Sequence, residues 1–558
     1  MMTGNTFSMF RLLLSVALSV AFMASGVNAA TYYVSPAGND SNNGTSQASA
    51  WKTLAKINNT ALQPGDTVLF KRGAIWRESL TVKTSGAAGK PITFDAYGTG
   101  NKPVFYGSDV LENTKFTSAG GSNYSYNLPG LTPLIGNAGV YVLQDNQFLG
   151  TTHATYNDPT LTITSPTDPR SDKKLYTACV RGNTVFNCYQ SHLVFRNIVV
   201  DETAMWMEGN NQGYGFRIQG CTDVLVENCE ALHCGRHNFG LINAHQVLLR
   251  NCHAAYGAPN YDGGNTLYVS YADRGAPVPK CDTAYENCTA EHEEDGKGGK
   301  WGFIVTHGDN VGSTALTNCT MHSGAAFMSS PVFIHGGTLD NDRVTSHGSG
   351  TVVEGVTFKN NAMIDLFNNS QDNIIQNCVW QNVSPAETAC ILMRSGAHNN
   401  TIRFCTIKAE AGACMGFYSD TAKGGDGRQS GLQFYGNIMQ GTVTSAGNAG
   451  DVSYADCNFY GDSPTIFGSD WAAWQKTGKH AHSKTGNPLF VNTASGDYTL
   501  QRGSPAIDAA GGVPSTPSVD LAGNSRPKGA SADMGAYEYG ATPATPAKNQ
   551  VKKPQAAR

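Results

Sequence analysis

The sequence has few charged side chains, and the two signs nearly cancel. Asp, Glu, Lys and Arg make up 15% of the 558 residues, with 39 basic against 43 acidic side chains and a formal net charge of −4. Because a nucleic-acid binder presents a strongly basic surface, this balance predicts no nucleic-acid partner. The low charge also excludes long charged helices and coiled coils. Glycine is abundant instead, at 63 residues, and with a hydrophobic fraction of 40% it favours a turn-rich, all-β protein with a large core.

Long apolar runs are missing after the N-terminus. An apolar run at residues 12–24 follows Arg11 and leads into small residues, which is the order found in secretory signal peptides. We therefore expect residues 1–30 to be a signal peptide, removed near Ala29 or Ala30, and the protein to be secreted or periplasmic. No later stretch is long and apolar enough to predict a membrane span.

No CxxC pair occurs among the 14 cysteines, which argues against a zinc ribbon. An exported protein with so many cysteines would usually form disulfides, and Cys179 with Cys188, or Cys390 with Cys414, are candidate bridges. Five other cysteines share one local context: Asn228-Cys229, Asn251-Cys252, Asn287-Cys288, Asn318-Cys319 and Asn377-Cys378. Because these pairs recur once per repeat, we expect their cysteines to stack inside the fold as small apolar residues.

Internal repetition is the strongest signal in the chain. Short β-type segments end in the same register at positions 198, 229, 252, 288, 319, 356, 378 and 405, and the shortest repeats span 22 and 23 residues. Such a repeat cannot bury its apolar face alone and must stack on its neighbours. The repetition therefore predicts a parallel β-solenoid, in which Cys forms an inner row and Asn a row at the turn.

The two ends of the mature chain carry motifs of a known group. The opening Thr31-Tyr-Tyr-Val-Ser-Pro-Ala-Gly-Asn-Asp and the later Gly503-Ser-Pro-Ala-Ile-Asp and Asp533-Met-Gly-Ala-Tyr-Glu-Tyr resemble segments of exported bacterial proteins of the pectate-lyase-like superfamily. This resemblance implies an all-β, single-stranded right-handed parallel β-helix with an N-terminal cap and a loop-built cleft. The superfamily includes lyases, hydrolases, epimerases and noncatalytic proteins, so the fold does not fix the activity.

The same features predict the organisation of the chain. One parallel β-helix domain is expected over residues 31–540. It comprises an N-terminal cap with the first coils over 31–110, central coils over 190–440 and a closing segment over 485–540. The Pro- and Ala-rich residues 541–558 are expected to be a disordered tail.

Coils longer than the bare repeat must expel loops, and loops at one turn of adjacent coils build a common wall. Five such loops are expected, at about residues 201–214, 234–239, 256–265, 291–301 and 322–331. Titratable and aromatic side chains are dense in these loops. The wall is therefore the predicted site of chemistry.

The candidate catalytic residues in the wall suit elimination on a uronate. That reaction needs a group that neutralises the carboxylate, a base for the C5 proton and an acid for the leaving oxygen. Lys300 or Lys297 could be the base if neighbouring charge or burial lowers its pKa. Arg236 could hold the carboxylate in a fork, and His237 or His292 could act as a second base or a donor.

Aromatic residues in the same loops are candidate substrate contacts. Trp206, Tyr261 and Trp301 could stack on sugar rings. Tyr256 falls four positions after a ladder cysteine, as do His233 and His292, so these three side chains are expected to form a row. A further candidate contact is His307, in the segment Thr306-His307-Gly308-Asp309. This segment is similar to the Arg-His-Gly segment of alginate and chondroitin-type lyases, with Thr in place of Arg.

An acidic run in the wall is a candidate calcium site. Glu294 and Asp295 face Asp262 one coil away, and Ca²⁺ prefers such hard oxygen ligands. This arrangement resembles the calcium-dependent lyases of the superfamily, although the paired Asp residues of those enzymes are Glu and Asp here. Charge balancing by Lys297 and Lys300 is the alternative interpretation of the run.

The favoured function is that of an exported polysaccharide lyase, acting as a monomer on an acidic, uronate-containing polysaccharide. A glycoside hydrolase is an alternative, since Asp262 with Asp295 or Glu294 could supply its two carboxylates. A C5 epimerase shares the first step of the lyase reaction and is a further alternative. A noncatalytic polysaccharide-binding or matrix protein would use the same surface without turnover.

Overall fold

Three sets of short parallel strands repeat along the chain in a fixed order. The computed structural model describes residues 29–130, 140–149, 154–204, 213–257, 266–272, 282–292, 301–306, 312–322, 324–328, 331–341, 343–384, 389–418, 429–446 and 452–542. Within these residues each coil contributes one strand to each of three faces. The first face is a 14-stranded parallel sheet. Its strands are β1 (Thr31–Val34), β2 (Thr67–Lys71), β5 (Ile92–Tyr97), β16 (Leu193–Arg196), β19 (Thr222–Glu227), β22 (His245–Arg250), β25 (Asp282–Glu286), β28 (Ser313–Thr317), β31 (Val332–His335), β34 (Val352–Glu354), β37 (Ile374–Gln376), β40 (Thr401–Arg403), β42 (Leu432–Tyr435) and β44 (Val452–Asp456).

The second and third faces follow the first face in every coil. The second face contains β3 (Ile75–Trp76), β6 (Val104–Tyr106), β17 (Val199–Asp201), β20 (Glu230–Leu232), β23 (His253–Ala255), β26 (Thr289–Glu291), β29 (Thr320–His322), β32 (Thr338–Asp340), β35 (Thr357–Lys359), β38 (Val379–Val383), β45 (Phe459–Tyr460) and β46 (Lys484–Thr485). The third face contains β4 (Leu80–Val82), β15 (Asn183–Cys188), β18 (Tyr214–Gln219), β21 (His237–Ile242), β24 (Thr266–Tyr271), β27 (Trp301–Thr306), β30 (Ala325–Met328), β33 (Arg343–Ser346), β36 (Met363–Leu366) and β39 (Ala389–Arg394). Two long strands, β41 (Thr406–Tyr418) and β43 (Ile438–Ala446), run through both faces.

The alternation of apolar residues explains why these segments form strands around one core. In β19 the side chains of Val224 and Val226 are buried, while Glu227 lies on the outside. Val224 pairs in parallel register with Val247 of the next coil, so that equivalent apolar side chains stack along the axis. The resulting hydrophobic core runs through the coils. The arrangement confirms the predicted parallel β-helix.

Asparagine rows form the corner between the first and second faces, as predicted. Asn228, Asn251 and Asn287 follow successive first-face strands and have φ angles between +52° and +53°. Asparagine tolerates this left-handed conformation better than most residues. Stacking also links the side chains, because the Asn287 Nδ2 donates to Asn251 Oδ1 at 3.2 Å. The corner therefore depends on the backbone preference and the side-chain amide of the same residue.

The cysteines after these asparagines point inward, as predicted. Cys229, Cys252 and Cys288 are buried, and each thiol donates to a carbonyl of the preceding coil, at 3.7 Å, 3.4 Å and 3.5 Å respectively. Burial raises the pKa of the Cys252 thiol well above its ordinary value. These side chains thus act as small apolar residues that also satisfy a backbone acceptor.

The structure contradicts the candidate disulfides of the sequence analysis. Cys179, Cys188, Cys390 and Cys414 are all free thiols in the structure. Cys390 and Cys414 occupy neighbouring strands of the third face, next to the paired residues Ala389 and Ala413. Cys390 and Cys414 therefore lie in adjacent coils, as their sequence spacing predicted. Two cysteines in adjacent coils form a disulfide only if their side chains are also oriented towards each other.

An antiparallel unit interrupts the first coils. Between β6 and β15 the chain forms two four-stranded antiparallel sheets, which the sequence analysis did not anticipate. They consist of β7 (Ser108–Leu111), β8 (Thr117–Gly120), β9 (Asn123–Asn127), β10 (Val142–Gln144), β11 (Gln147–Phe148), β12 (Thr155–Asn157), β13 (Thr160–Thr164) and β14 (Tyr176–Cys179). This inserted unit has a separate apolar core that includes Phe116, Leu161 and Tyr176.

Short helices and an irregular C-terminal segment complete the described ends. Helix α1 (Leu54–Asn58) lies between β1 and β2, and α2 (Trp471–Gln475) follows β45. After β46 come the antiparallel β47 (Phe490–Asn492) and β48 (Asp497–Leu500). The Ala536 N–H donates to Thr406 Oγ1 at 3.0 Å, which attaches this segment to the β-helix. In the described part of the chain, no helix has the length and apolar character needed to cross a membrane.

The last strand of the first face is covered along its open edge. His480 donates its backbone N–H to the Ala455 carbonyl of β44 at 2.8 Å, and Lys479 Nζ donates to the Val452 carbonyl of the same strand at 2.6 Å. The His480 side chain is fully buried and contacts Trp474 at a ring-centroid distance of 5.5 Å. The residues after α2 therefore supply hydrogen bonds that a further coil would otherwise make.

Buried His480 gives folding a pH dependence. Burial lowers the pKa of His480 from 6.5 to about 4. The unfolded chain binds a proton near pH 6.5 while the folded chain stays neutral, so stability is full above pH 6.5 and is lost as the pH falls towards 4. When the pH falls from about 7 to about 5, we expect the free energy of unfolding to decrease by about 2 kcal/mol because of His480.

Urea unfolding at the two pH values tests this expectation. His480→Gln should reduce the pH-dependent loss of stability by about 2 kcal/mol relative to the unsubstituted protein. His192→Gln is the matched control, because His192 lies on the outside of the helix beside Asp223. An unchanged pH dependence in His480→Gln would contradict the assignment.

Candidate functional site

A row of polar and aromatic side chains marks the corner between the second and third faces. Glu202, His233, Tyr256 and His292 follow the second-face strands β17, β20, β23 and β26 in matching register. The rings of His233 and Tyr256 stack at a centroid distance of 5.1 Å with an interplanar angle of 16°. The predicted row is therefore confirmed, and Glu202 extends it by one coil.

The backbone at this corner is strained. Glu202, His233 and Tyr256 have φ angles of +55°, +44° and +55°, which is the left-handed region that glycine and asparagine normally occupy. At the corner between the first and second faces, Asn or Gly occupies most of the equivalent positions. Larger side chains held there cost of order 1 kcal/mol each. Local strain of this kind is concentrated at functional sites.

The inserted unit docks on this corner through buried charges. Asp201 Oδ1 lies 2.8 Å from His233 Nδ1, and both side chains are 6% exposed. The neighbouring Glu202 carboxylate accepts a hydrogen bond from Ser108 Oγ at the start of the inserted unit. Burial and the adjacent charge of Asp201 raise the pKa of Glu202. Phe148 of β11 packs edge-on against the His233 ring, at 5.8 Å between centroids.

A second row lies where the third face begins. Tyr214, His237, Thr266 and Trp301 are the first residues of β18, β21, β24 and β27 and pair in register along the axis. The His237 and Tyr214 rings lie 5.0 Å apart, and the guanidinium carbon of Arg236 lies 5.8 Å from the Tyr214 ring centroid. The structure thus brings three predicted site residues, Arg236, His237 and Trp301, into one patch.

The two predicted histidines in this region are neutral at physiological pH. Burial lowers the pKa of His292 to about 4, and burial with the nearby Arg236 charge lowers the pKa of His237 well below its ordinary value. Both ring nitrogens of His292 are buried. A neutral imidazole can accept a proton but brings no fixed positive charge to bind an anion.

The outward surface of the third face is recessed. Its outward side chains alternate with core residues, as expected for strands, yet Ile242, Val269 and Leu392 are at most 4% exposed. On the first face, by contrast, outward Phe333 is 37% exposed. Tyr214, Ile242 and Val269 form a separate apolar cluster on this outward side. We call this surface the third-face recess.

Three charged residues form an arginine clamp in the recess. Arg394 donates to both oxygens of Asp365, from Nε at 3.0 Å and from Nη2 at 2.6 Å. Arg343 donates to the same carboxylate from Nη2. Asp365 is fully buried, while Arg343 and Arg394 keep 30% and 24% of their side-chain surface exposed, so the guanidinium groups form the outward part of the clamp.

Aromatic rings flank the arginine clamp. The guanidinium carbon of Arg394 lies 4.7 Å from the Phe367 ring centroid, and the His347 ring lies 5.0 Å from Phe367. Sugar rings bind proteins through apolar faces on aromatic side chains and through polar edges. The clamp and these rings together could hold a ring that carries a carboxylate.

Eight of the predicted site residues lie outside the described residues and stay predictions. They are Trp206, Tyr261, Asp262, Glu294, Asp295, Lys297, Lys300 and His307. The described members Arg236, His237, Tyr256, His292 and Trp301 occupy two adjacent rows. Their catalytic roles are likewise untested.

The clamp was missed in the sequence analysis. Arg343, Asp365 and Arg394 lie in three successive coils and share no local motif. The one available signal was a charged residue inside the apolar segment Met363-Ile-Asp-Leu-Phe, where the register predicts a strand. Only the alignment of the third-face strands shows that Thr345, Asp365 and Leu392 are neighbours.

Comparison with known sequences gives only local likenesses. No family model matches the chain. A stretch of 87 residues is 46% identical to the lacto-N-biosidase of Bifidobacterium longum subsp. longum, covering 14% of this chain and 5% of that protein. A stretch of 84 residues is 45% identical to the uncharacterized protein YwoF of Bacillus subtilis, covering 15% of this chain and 17% of that protein. The chain therefore matches only a small part of either curated relative.

Solved structures match over most of the chain. The structure of XylC in complex with xylose aligns with a TM-score of 0.54 at 12% identity, covering 91% of this chain and 99% of XylC. Pectate lyase Pel9A aligns with a TM-score of 0.35 at 15% identity over 92% of this chain and 98% of Pel9A. These likenesses concern the fold, which the strand pairing of this chain shows to be a parallel β-helix. A mannuronic acid specific polysaccharide family 6 lyase also aligns, with a TM-score of 0.38 at 11% identity over 78% of this chain and 81% of that protein.

Proposed function

We propose that the protein is an exported polysaccharide lyase that cleaves an acidic, uronate-containing polysaccharide by β-elimination. The observation that supports this proposal is the arginine clamp, which places two partly exposed guanidinium groups beside aromatic rings in the third-face recess. Elimination requires the uronate carboxylate to be neutralised so that the C5 proton becomes acidic. Arginine suits this task because its planar N–H donors match a carboxylate.

In this proposal the glycan lies along the helix axis. Trp301 and Arg343 belong to β27 and β33, with β30 between them, and adjacent strands lie about 4.8 Å apart. The Trp301 ring is therefore about 10 Å from the clamp along the axis. The reacting uronate would place its carboxylate at Arg343 and Arg394, while a neighbouring sugar of the polymer stacks near Trp301, Arg236 and His237.

The base is proposed to be Lys300, with Lys297 as its alternative. Both residues fall between His292 and Trp301 in the sequence, and Trp301 belongs to the row that contains His237. A lysine becomes a base near neutral pH when burial or neighbouring cations lower its pKa. Asp262, Glu294 and Asp295 are the proposed Ca²⁺ ligands. Calcium would add positive charge for the same substrate carboxylate.

Ultraviolet absorbance of the new C4–C5 double bond tests this function. Purified mature protein is mixed with a panel of polymers of mannuronate, guluronate, galacturonate and glucuronate, with Ca²⁺ and with a chelator. A rise with at least one polymer is expected, and loss of the rise in chelator would support the calcium site. No rise with any polymer, while reducing ends also stay constant, would contradict both cleavage mechanisms for that panel.

Hydrolysis is the second candidate, and the buried Asp365 carboxylate is the observation that favours it. A carboxylate serves as the nucleophile of retaining glycosidases, and Asp365 lies in the third-face recess. A hydrolase also needs a second carboxylate within about 10 Å. The described third-face strands from β18 to β39 carry no other carboxylate. Reducing ends without absorbance, on the uronate panel or on aryl xylosides, would favour hydrolysis over elimination.

A further inference from the structure

The last coil reverses the order of the Asn and Cys rows. Five earlier coils place Asn at the corner and Cys inside, whereas the coil before the last has Gly436 followed by Asn437 and the last has Cys457 followed by Asn458. Gly436 of the preceding coil donates its N–H to the Asp456 carbonyl, which places Cys457 in the row of corner residues. Asn458 takes the inner position and accepts from Asn437 Nδ2 at 3.0 Å. The reversal therefore moves a thiol out of the inner row.

The thiol at this corner lies beside an imidazole and a carboxylate. Asp456 Oδ2 is 2.7 Å from His482 Nδ1. One ligand atom each of Asp456, Cys457 and His482 lies within 4.8 Å of the other two. Cys457 has a φ angle of +51°, a conformation that costs most non-glycine residues of order 1 kcal/mol. The Cys457 side chain is 1% exposed, and its Sγ donates to the Gly511 carbonyl at 3.5 Å, so the thiol faces the C-terminal segment.

The carboxylate is held in place for a further partner. Asp456 Oδ1 accepts the backbone N–H groups of Cys457 and His482, both at 2.8 Å. These two bonds fix the plane of the carboxylate and aim Oδ2 at the imidazole. Fixing a ligand through hydrogen bonds to its other atom is a common feature of metal sites.

We propose that Asp456, Cys457 and His482 bind a zinc ion. Thiolate, imidazole and carboxylate are the three donor types that zinc accepts, and a water molecule would complete a tetrahedral site. Binding requires the Cys457 thiol to release its proton to solvent and the His482 ring to carry its proton on Nε2. Magnesium and calcium are disfavoured because a thiolate is a soft ligand.

The position of the site indicates a structural role. Asp456 and Cys457 end the last strand of the first face, while His482 follows α2, in the segment that covers that strand. A metal bound by all three residues would join the last coil to this covering segment. The inference is independent of the proposed function, because the site is not part of the third-face recess.

Cobalt substitution tests the site with a readout that does not depend on activity. The full mature chain, freed of metal by a chelator and kept reduced, is titrated with Co²⁺, and sulfur-to-cobalt charge transfer is followed in the ultraviolet. A band that saturates at one equivalent is expected, and Zn²⁺ should displace it. Cys457→Ser should abolish the band, and His482→Ala should weaken binding by at least about a hundredfold.

Two matched variants separate this site from other thiols and imidazoles. Cys188 is only partly buried, and His192 forms a similar pair with Asp223 at 2.7 Å without a neighbouring cysteine. Cys188→Ser and His192→Ala are expected to leave the band unchanged. Absence of a band in the unsubstituted protein, or a band that persists in Cys457→Ser, would overturn the proposal. Because the His482 side chain is 74% exposed, its removal should not prevent folding.

Discussion

Arg394→Ala is expected to lower kcat/KM on the cleaved acidic polysaccharide by a factor of about 100 to 1000. Arg394 makes the two-point contact with Asp365 and lies over Phe367 in the third-face recess. If it neutralises the uronate carboxylate, its loss removes charge stabilisation that grows as the C5 proton leaves, so kcat should fall more than KM rises. The measurement is steady-state absorbance of the unsaturated product.

Two further variants show whether the effect belongs to the recess. Arg394→Lys keeps the charge but not the planar fork, so an intermediate loss is expected. Arg250→Ala is the matched control, since Arg250 also pairs with carboxylates, Glu227 and Glu286, but on the outside of the first face. If Arg250→Ala loses as much activity as Arg394→Ala, or if Arg394→Ala is fully active, the clamp is not the carboxylate subsite. Thermal unfolding of each variant separates lost activity from lost folding.

Phe358→Ala is expected to destabilise the protein by about 3 to 5 kcal/mol. Phe358 is fully buried and stacks on Trp380 of the next coil at 4.2 Å between centroids, with an interplanar angle of 2°. Truncation removes apolar surface and leaves a cavity that the parallel strands on either side cannot close, because backbone hydrogen bonds fix the spacing of the coils. Equilibrium urea unfolding measures the change.

The chain contains a matched control for this substitution. Phe333 lies on the outward side of the first face and is 37% exposed. Phe333→Ala removes the same atoms but opens no interior cavity, so a change below about 1 kcal/mol is expected. Equal losses for Phe333→Ala and Phe358→Ala would contradict the assignment of inner and outer faces.

The sequence was sufficient to predict the β-helix, because its evidence is local and repeated. Each Asn-Cys pair marks a corner and an inner position, and the same pair recurs in five coils. The row of His233, Tyr256 and His292 followed from the same register and is present. A prediction that depends only on the register is reliable in a solenoid, since each coil is in contact chiefly with its neighbours.

The inserted antiparallel unit and the arginine clamp depend on information that the register does not contain. The unit folds around its own core of Phe116, Leu161 and Tyr176, with no repeat to reveal it. The clamp needs Arg343 and Arg394 to converge on Asp365 from the coils on either side, and side-chain direction decides this. Side-chain direction also explains why the predicted disulfides were wrong, because two thiols in neighbouring coils are not thereby aligned for a bond.

The covered edge of β44 also determines where the molecule stops. A parallel solenoid has no intrinsic end, since its last strand presents the same unpaired backbone groups that every earlier strand offered to the next. Left open, that strand would be a template on which a second molecule could continue the sheet, and chains would grow into filaments. By occupying the Val452 and Ala455 carbonyls, Lys479 and His480 act as a terminator of growth along this edge.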